Sequence, residues 1–298
     1  MCEIKTASKV SIEAIQKAIS IVNNFSDSTI EIVEAYGGIS AAMENFFIPR
    51  LKDIFGLSNT GALVQLETYL KLIRGEDIRD IDTPSRQIDL MYLLSSAYPF
   101  PKLHVGDNCF IKVKVPDIYI DGIKFEALDI PKTEVIVSHV FDDGKIAFQF
   151  EDVLFFSAIN PTATNEGGFQ ASTLSKYLNN HFLPYVFSGV IEKLNQNIHG
   201  QRVTPPTVYE VYGDDEEGCD VKAVNWSDEP MQHDFFKKIK NRIRTYDNDT
   251  KWWWLSVPYR ASNTTSFAYV YSHGYANYGT ANTTGGGVAP CFCVRSTQ

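Results

Sequence analysis

The sequence lacks the features of a membrane or exported protein. No stretch approaches the ~18 consecutive apolar residues that a membrane-spanning helix needs, so we expect no membrane insertion. The first ten residues, MCEIKTASKV, contain no apolar core of a signal peptide. We therefore expect synthesis in a cytoplasm without a signal peptide, and arrival outside the cell only within an assembly that is released by lysis.

Concentrated positive charge is also missing. The formal net charge is -9, and the densest basic stretch, 237–244, fits the solvated face of one helix. Nucleic-acid-binding domains usually carry a basic patch, so we expect no nucleic-acid partner. The chain does have apolar residues for a core, since 44% of its 298 residues are hydrophobic, and its length suits one large domain or two ordinary ones.

The common motifs of enzymes and metal sites are absent too. No G-x-S-x-G, H-E-x-x-H or C-x-x-C occurs, and Gly285-Gly286-Gly287 is followed by no Lys-Ser/Thr, so it is not a phosphate loop. Cys291 and Cys293 fit two buried thiols better than a metal site, because they lack nearby histidine partners. We expect a non-enzymatic protein with no metal and no cofactor, although a catalytic triad assembled from distant positions stays an alternative.

The remaining patterns divide the chain into three regions and predict an α+β fold. Residues 1–98 show amphipathic helical periodicity and suit assembly or oligomerisation. Residues 99–150 form a β-rich connecting region, with alternating segments at 110–115 and 118–120 and further strands at 134–137 and 146–150, which flank the turn Asp142-Asp143-Gly144. Residues 151–298 mix elements, with helices predicted at 172–180, 186–198 and 234–244, and strands predicted at 153–156, at 208–212 and after 252.

The tail, about 252–294, has an unusual composition. Trp252-Trp253-Trp254 would alternate in a strand, so that two of the rings share a face. Five tyrosines follow among Ser, Thr, Asn and Gly, a mixture that is typical of antibody-like binding surfaces. A tyrosine-rich sheet that only packs, with polar loops, is an equally good explanation of this composition.

A second feature of the tail favours binding. From 255 to 297 there is no Gln, Glu, Lys, Met or Trp, whereas these five types make up 51 of the 298 residues, so about seven would be expected in this window. Randomising the adenines of AAC or AAT codons gives codons that encode every residue type except these five. A strand region that avoids long side chains would explain missing Lys and Glu, but the joint absence is harder to explain that way.

The tail also contains an ordered series of short motifs. The matching positions are Trp253-Trp254-Leu255, Pro258, Ser262-Asn263, Phe267-Ala268, Val270, Gly274, Ala276-Asn277, Ala281-Asn282, Gly287-Val288-Ala289-Pro290 and Phe292. This series resembles the C-terminal pattern of the variable proteins of diversity-generating retroelements from gut bacteria and their phages. The resemblance extends upstream to 150–160, 167–179 and 209–213, about half of the chain, but Ser256-Val257 stands where the family has Arg-Ser.

The resemblance implies a C-type-lectin-like domain at 151–298, whose last strands hold diversified side chains on one exposed face. It implies a receptor-binding (adhesin) protein of a phage or prophage tail tip, often a homotrimer, located in the virion. Its partners would be a host cell-surface receptor, protein or glycan, and other virion tail proteins. The alternatives are a structural virion protein without receptor contact and a lectin-fold enzyme related to formylglycine-generating enzymes, for which Cys291 and Cys293 are the only candidate thiol pair.

Within the tail, the pattern separates scaffold from binding residues. Nine positions that match the fixed pattern are expected to be buried: Phe267, Ala268, Val270, Gly274, Ala276, Ala281, Val288, Pro290 and Phe292. The residues between them are expected to be mostly exposed and to bind the partner: Tyr259, Arg260, Thr264, Thr265, Ser266, Tyr269, Tyr271, Ser272, His273, Tyr275, Tyr278, Gly279, Thr283 and Thr284. A few of the Tyr and Arg side chains would dominate the binding energy.

Overall fold

The computed structural model describes residues 88–95, 103–213, 224–227, 229–259 and 262–295. The chain divides into two compact units, of which one, residues 89–96 and 103–298, contains nearly everything described here. The structure mixes helix and strand, with more strand than helix. The helices predicted within residues 1–98 lie outside the described residues, apart from 88–95, where a short strand precedes one helix.

The strands run in chain order as follows: β1 (Ile88–Asp89), β2 (Asn108–Val115), β3 (Ile118–Ile120), β4 (Ile123–Phe125), β5 (Leu128–Val140), β6 (Lys145–Phe150), β7 (Phe155–Phe156), β8 (Val203–Thr204), β9 (Arg244–Tyr246), β10 (Asp249–Lys251), β11 (Trp253–Pro258), β12 (Ser266–Val270), β13 (Ala276–Thr280), β14 (Gly287–Val288) and β15 (Cys291–Arg295). The α-helices are α1 (Leu90–Ser95), α2 (Thr173–Tyr177), α3 (Leu183–Val186) and α4 (Val208–Tyr212). A π-helical turn, Leu178–Phe182, joins α2 to α3. Single 3-10 turns occur at Phe169–Ala171, Ile191–Lys193, Asp234–Lys237 and Ile239–Arg242.

Two large sheets organise the described residues, beside two hairpins that each form a two-stranded sheet, β3-β4 and β9-β10. The first has six strands in the order β1-β2-β5-β6-β15-β8, and it contains the strands predicted at 110–115, 134–137 and 146–150. Burial alternates along β2, whereas 135–139 of β5 and 146–150 of β6 are buried at every position. The C-terminal strand β15 lies antiparallel to β6, with Phe292 opposite Phe148. Strands from both sides of residue 150 therefore share this sheet, so the domain boundary predicted there falls inside one sheet.

The second sheet carries the tail. Its five strands run in the order β13-β12-β11-β14-β7, with β13 at one edge. Trp253, on β11, lies opposite Val270 on β12, and both belong to a buried cluster that also holds Val208 and Phe236. This cluster, which lies between the sheet and α4, fixes one face of the sheet because burying aromatic and aliphatic side chains is the main favourable contribution to folding.

The side chains of the three consecutive tryptophans, Trp252 to Trp254, lie on both faces of that sheet. The rings of Trp252 and Trp254 share one face, as predicted, with centroids 4.8 Å apart. Trp253 points to the other face and is fully buried, and its indole N–H donates to the carbonyl of Arg242 at 2.9 Å. Trp254 is also fully buried, and its N–H donates to the carbonyl of Ser157 at 2.8 Å. Each buried indole therefore has the hydrogen-bond partner that it requires.

Several predicted elements are wrong. Residues 208–212 form the helix α4 rather than a strand, because Thr207 and Glu210 make a capping box in which each side chain accepts the other residue's backbone N–H. Residues 234–244 form two 3-10 turns and the start of β9 rather than one helix, and 186–198 contain one 3-10 turn rather than a long helix. The strand predicted at 153–156 is only the two residues of β7.

Candidate binding face

The tip of the β12–β13 hairpin is closed and anchored. The N–H of Tyr271 donates to the carbonyl of Tyr275 at 2.7 Å, and the N–H of Gly274 donates to the carbonyl of Tyr271 at 2.8 Å. Gly274 has a φ of 87°, and a Cβ there would lie 3.0 Å from the carbonyl oxygen of Ile239, so only glycine fits without strain. The hydroxyl of Tyr212 donates to the Gly274 carbonyl at 3.3 Å. The tip is thus held against α4 and the following turns.

A row of aromatic rings runs along one face of this hairpin. Tyr269 lies opposite Trp254 on β11, and its ring centroid is 4.6 Å from that of Trp252. Tyr271 follows at 6.5 Å from Tyr269, and His273 stacks on Tyr271 at 5.5 Å. We call Trp252, Tyr269, Tyr271 and His273 the aromatic row. Its inner members are half-buried and its outer members are exposed, so it extends from the packed sheet to solvent.

The aromatic side chains at the hairpin tip are accessible to solvent. Tyr271 is 44% exposed and Tyr275 is 62% exposed, large values for aromatic side chains. Asn277 lies opposite Tyr269 on the edge strand and is also exposed. Burial, together with the nearby phenol of Tyr271, raises the pKa of Tyr269. The Tyr269 hydroxyl therefore stays protonated and can donate and accept hydrogen bonds beside the apolar ring surfaces of the row.

The predicted binding residues do not all share one face. Tyr278 lies opposite Ala268, whose side chain belongs to the core face, and it stacks on Tyr259 with ring centroids 3.8 Å apart and planes 9° from parallel. Tyr278 is 44% exposed, whereas Tyr259 beneath it is only 7% exposed. The prediction that Tyr259 is exposed is therefore wrong. The Tyr259 ring packs against the Tyr278 ring on the side that faces the core.

The prediction for Ser266 is also wrong, because this residue, where the preceding loop joins β12, is buried. The Asn263 side-chain oxygen accepts the N–H groups of Ser266 and Thr265, both at 2.9 Å. The Asn165 amide in turn donates to the carbonyls of Asn263 at 2.7 Å and Ser266 at 3.0 Å. Hydrogen bonds of two asparagine side chains thus hold this loop, which has no regular secondary structure.

The separation of scaffold from exposed positions otherwise agrees with the sequence pattern. All nine positions that were expected to be scaffold are buried. Among the expected binding residues, those exposed are Thr264, Tyr271, His273, Tyr275, Tyr278 and Thr284. Those half-buried are Thr265, Tyr269, Ser272, Gly279 and Thr283. Arg260 lies outside the described residues. The sequence analysis missed Trp252 and Asn277, although the two-residue spacing of Trp252 from Trp254 would have placed it on the same face as Tyr269.

The glycine run after the hairpin packs the inner end of the row. A Cβ on Gly286 would lie 1.9 Å from Nε1 of Trp254, and a Cβ on Gly287 would lie 2.8 Å from the carbonyl oxygen of Trp252. The backbone of the run therefore lies directly against the indoles, an approach that only glycine permits. This contact gives the run a packing role and fixes the sheet from which the aromatic row extends.

A buried polar cluster lies on the other side of the core. His233 Nδ1 is 3.2 Å from the Ser138 hydroxyl, its Nε2 is 3.8 Å from the Glu210 carboxylate, and its ring stacks on His139 at 5.2 Å. Ser138, His233 and Glu210 are the residue types of a hydrolytic triad, but each is at most 1% exposed. The Glu210 carboxylate also accepts the backbone N–H of Asn225 at 2.8 Å and its side-chain amide at 2.7 Å. These contacts give the cluster a structural role.

The same burial affects the titration of His233. Loss of solvent, and secondarily the neighbouring His139, lowers the pKa of His233 to about 3 from its ordinary 6.5. Because the folded pKa lies below the unfolded value, His233 stays neutral in the folded protein while it gains a proton in the unfolded chain. Its contribution to stability is therefore complete above pH 6.5 and is lost as the pH falls from 6.5 toward 3.

The C-terminal thiols are enclosed rather than placed in a pocket. Cys291 and Cys293 are both buried, and the Cys291 thiol donates to the carbonyl of Thr204 at 3.0 Å. Burial raises the pKa of Cys293 to about 12 and raises that of Cys291 well above its usual value. Thiolates, the reactive form, are thus strongly disfavoured at both positions. Among the described residues, no three His, Cys, Asp or Glu side chains come together as a metal site.

Comparison with known protein families gives a match over part of the chain. Residues 206–296 match a family described as a domain of unknown function (DUF6273), a span that covers α4, the second sheet's tail strands and β15. No curated protein and no solved structure matches the chain. Within the part that the structure describes, no helix has both the length and the apolar character needed to cross a membrane.

Proposed function

We propose that this protein is the receptor-binding (adhesin) protein of a phage or prophage tail tip, and that the β12–β13 hairpin is its diversified binding surface. The observation that carries the proposal is the alternation in the tail. The nine positions that were expected to be scaffold are buried, while most of the intervening positions reach the surface. A surface that must vary between copies needs this separation, because changes at exposed positions leave the core intact.

The chemistry of the exposed positions supports binding. Tyr271, Tyr275 and Tyr278 present rings that offer large contact area with few rotatable bonds, and Thr264 and Thr284 add small polar groups beside them. The anchored hairpin tip holds two of these rings in place before any partner arrives. Such preorganisation reduces the entropy that is lost on association. Residues 255–297 also lack Gln, Glu, Lys, Met and Trp, the five residue types that randomised adenines of AAC or AAT codons cannot produce. This absence supports diversification of the tail.

The fold that we propose for 151–298 is C-type-lectin-like. Its support is the motif series of the tail and the way in which β11, β12, β14 and β15 form a buried scaffold for the exposed hairpin positions. In this proposal the protein acts as a homotrimer without cofactor or metal. It is located in the virion, together with other tail proteins, and meets a protein or glycan receptor on the host cell.

The alternative of a lectin-fold enzyme has less support. Such an enzyme would need reactive thiols that line a pocket, whereas Cys291 and Cys293 are buried with raised pKa values. The polar cluster around His233 is likewise closed to a substrate. These observations favour a protein that binds and does not catalyse.

The genome distinguishes the receptor-binding proposal from the alternative of a structural virion protein. The proposal expects a reverse-transcriptase gene beside this gene, together with a template copy of the tail. In that template, adenines should occupy the codons of exposed residues such as Tyr271, Tyr275 and Tyr278, and not the codons of Phe267 or Val270. A genome that lacks the template, or a template whose adenines fall on the codons of buried residues, would contradict diversification.

A further inference from the structure

The chemistry of the hairpin face that carries the aromatic row narrows the class of receptor. Tyr269 lies opposite Asn277, and side chains directly opposite each other on neighbouring strands share one face of a sheet. The hydrogen bond from the N–H of Tyr271 to the carbonyl of Tyr275 continues this register to the tip. Aromatic rings and one amide group therefore lie side by side on this face.

The hairpin carries no formal charge. Between residues 261 and 294 the chain contains no Asp, Glu, Lys or Arg. Arg242 packs against Gly274 at the tip, but its guanidinium lies over the Tyr212 ring at 4.6 Å, and its Nε–H donates to the carbonyl of Phe236 at 2.8 Å. Charged partners are usually met by opposite charges across an interface. This face therefore suits an uncharged ligand.

Exposed aliphatic side chains are missing from the hairpin as well. The aliphatic residues within 266–280 are Ala268, Val270 and Ala276, and all three are buried. A standard protein–protein interface buries about 800 Å² of each partner around an apolar core. The hairpin tip is only two strands wide and offers aromatic rings with small polar groups. A sugar needs just these groups, because its C–H surface stacks on an aromatic ring while its hydroxyls form hydrogen bonds beside it.

The spacing of the rings fits a chain of sugars. Along the aromatic row, the ring centres lie 4.6 Å apart from Trp252 to Tyr269, 6.5 Å from Tyr269 to Tyr271, and 5.5 Å from Tyr271 to His273. Each step is close to the length of one sugar unit. Neighbouring units of an oligosaccharide can therefore contact neighbouring rings of the row.

Polar groups for sugar hydroxyls lie beside these rings. The Asn277 side-chain oxygen accepts the next backbone N–H at 2.8 Å, which orients the amide and leaves its NH2 group without a protein partner in the described part of the chain. The hydroxyls of Tyr271 and Tyr275 have no protein partner there either. A Cβ on Gly279 would lie 3.4 Å from the Tyr269 ring, so the glycine keeps the space beside ring and amide open.

We propose that the receptor is a neutral glycan, whose consecutive sugar units lie along the aromatic row and accept hydrogen bonds from the Asn277 amide. This inference rests on the function proposed for the hairpin and narrows its receptor from protein or glycan to an uncharged glycan. Stacking on the rings provides most of the affinity, and the amide orients the chain. Because neither side of the contact is charged, the affinity should be nearly independent of salt.

The first test uses the labelled full chain and intact bacteria of a strain that it binds. Mild periodate cleaves the vicinal diols of sugars and should abolish binding, whereas cells treated with borohydride alone should still bind. Binding that survives periodate but is lost after proteinase K would identify a protein receptor, which overturns this inference and leaves the proposed function standing. Binding to no untreated strain would refute the proposed function and this inference with it.

The second test addresses the charge of the glycan. Polysaccharide from the same strain is separated by anion exchange, and the unretained neutral fraction should compete for binding more strongly than the retained acidic fraction. Raising NaCl from about 50 mM to about 500 mM should change the affinity by less than about twofold. Stronger competition by the acidic fraction, or a tenfold loss of affinity in salt, would overturn the assignment to a neutral glycan.

Substitutions at the tip separate ring stacking from ordinary apolar contact. Tyr271→Phe keeps the ring and Tyr271→Leu keeps only apolar bulk, so the leucine variant should bind about tenfold or more weakly than the phenylalanine variant. Asn277→Asp keeps the acceptor for the backbone N–H but loses the amide donors, so it should weaken binding several-fold. Tyr119→Leu, on β3, is the matched control and should leave binding unchanged. Equal binding of the two Tyr271 variants would overturn the stacking mode.

Discussion

The stacked tyrosine pair at the sheet edge gives the sharpest test of which tail residues are scaffold. Tyr259 is 7% exposed beneath Tyr278, whereas Tyr271 is 44% exposed at the hairpin tip. Tyr259→Ala removes a buried ring and leaves a cavity, which should cost about 3–4 kcal/mol of stability. Tyr271→Ala loses only partial contacts with its aromatic neighbours and should cost about 1 kcal/mol or less.

The measurement is urea and thermal unfolding of both variants beside the parent protein. For a domain of this size the Tyr259→Ala change should lower Tm by roughly 6–16 °C, and Tyr271→Ala by a few degrees at most. Tyr259→Phe is the matched control, because it keeps the ring stack and should recover most of the loss. If Tyr271→Ala destabilised the protein as much as Tyr259→Ala, the hairpin tip would be core and the assignment of binding residues would be wrong.

Three other parts of the structure give measurable outcomes. Because the pKa of His233 is lowered to about 3, its contribution to stability should fall by about 2 kcal/mol between pH 7 and about pH 5, and His233→Asn should flatten that dependence in urea titrations. Gly286→Ala should lower Tm far more than Gly285→Ala, since its Cβ would meet the Trp254 indole; equal effects would refute the packing role. A thiol reagent should modify the peptide that contains Cys291 only after denaturation, and rapid labelling in the native protein, followed by mass spectrometry, would show the opposite.

The regular strands are the part of the fold that the sequence predicts well. In β2, every second side chain from Cys109 to Val115 is buried, so the alternation of apolar and polar residues is visible in the sequence itself. The helix α4 was missed because four of its five residues, Val208–Tyr212, are Val or Tyr, which favour strands. The local signal for a helix was the spacing of Thr207 and Glu210, which fits a capping box.

The face of each tail residue was harder to predict. Tyr259 was expected to be exposed because it lies between the motif positions, although it follows Trp253, Leu255 and Val257 at two-residue spacing and joins the same buried cluster. Its stack on Tyr278 depends on tertiary contact with β13, the partner strand of β12. A single sequence does not specify that contact, whereas the buried positions of β12, such as Phe267 and Val270, follow from the motif series.

A cavity beside β9, with Glu134, Glu151 and Arg244 among its lining residues, had no local signal in the sequence. Glu134, Glu151 and Arg244 are far apart in the chain, and each looks like an ordinary surface charge in its own segment. They meet because β5 and β6 are neighbours and the Arg244 side chain turns inward onto Trp253. Sites of this kind depend on tertiary contacts, which composition and periodicity do not encode.

The central claim, that the hairpin binds a receptor, is tested most directly by binding of the labelled full chain to a panel of intact gut bacteria. The double variant Tyr271→Ala/Tyr275→Ala removes the exposed end of the hairpin, and Tyr119→Ala, another strongly exposed tyrosine on a different hairpin, is the matched control. We predict saturable binding to at least one strain, weakened about thirtyfold or more by the double variant and unchanged by Tyr119→Ala. Binding that survives the double variant, or no binding to any strain, would contradict the claim.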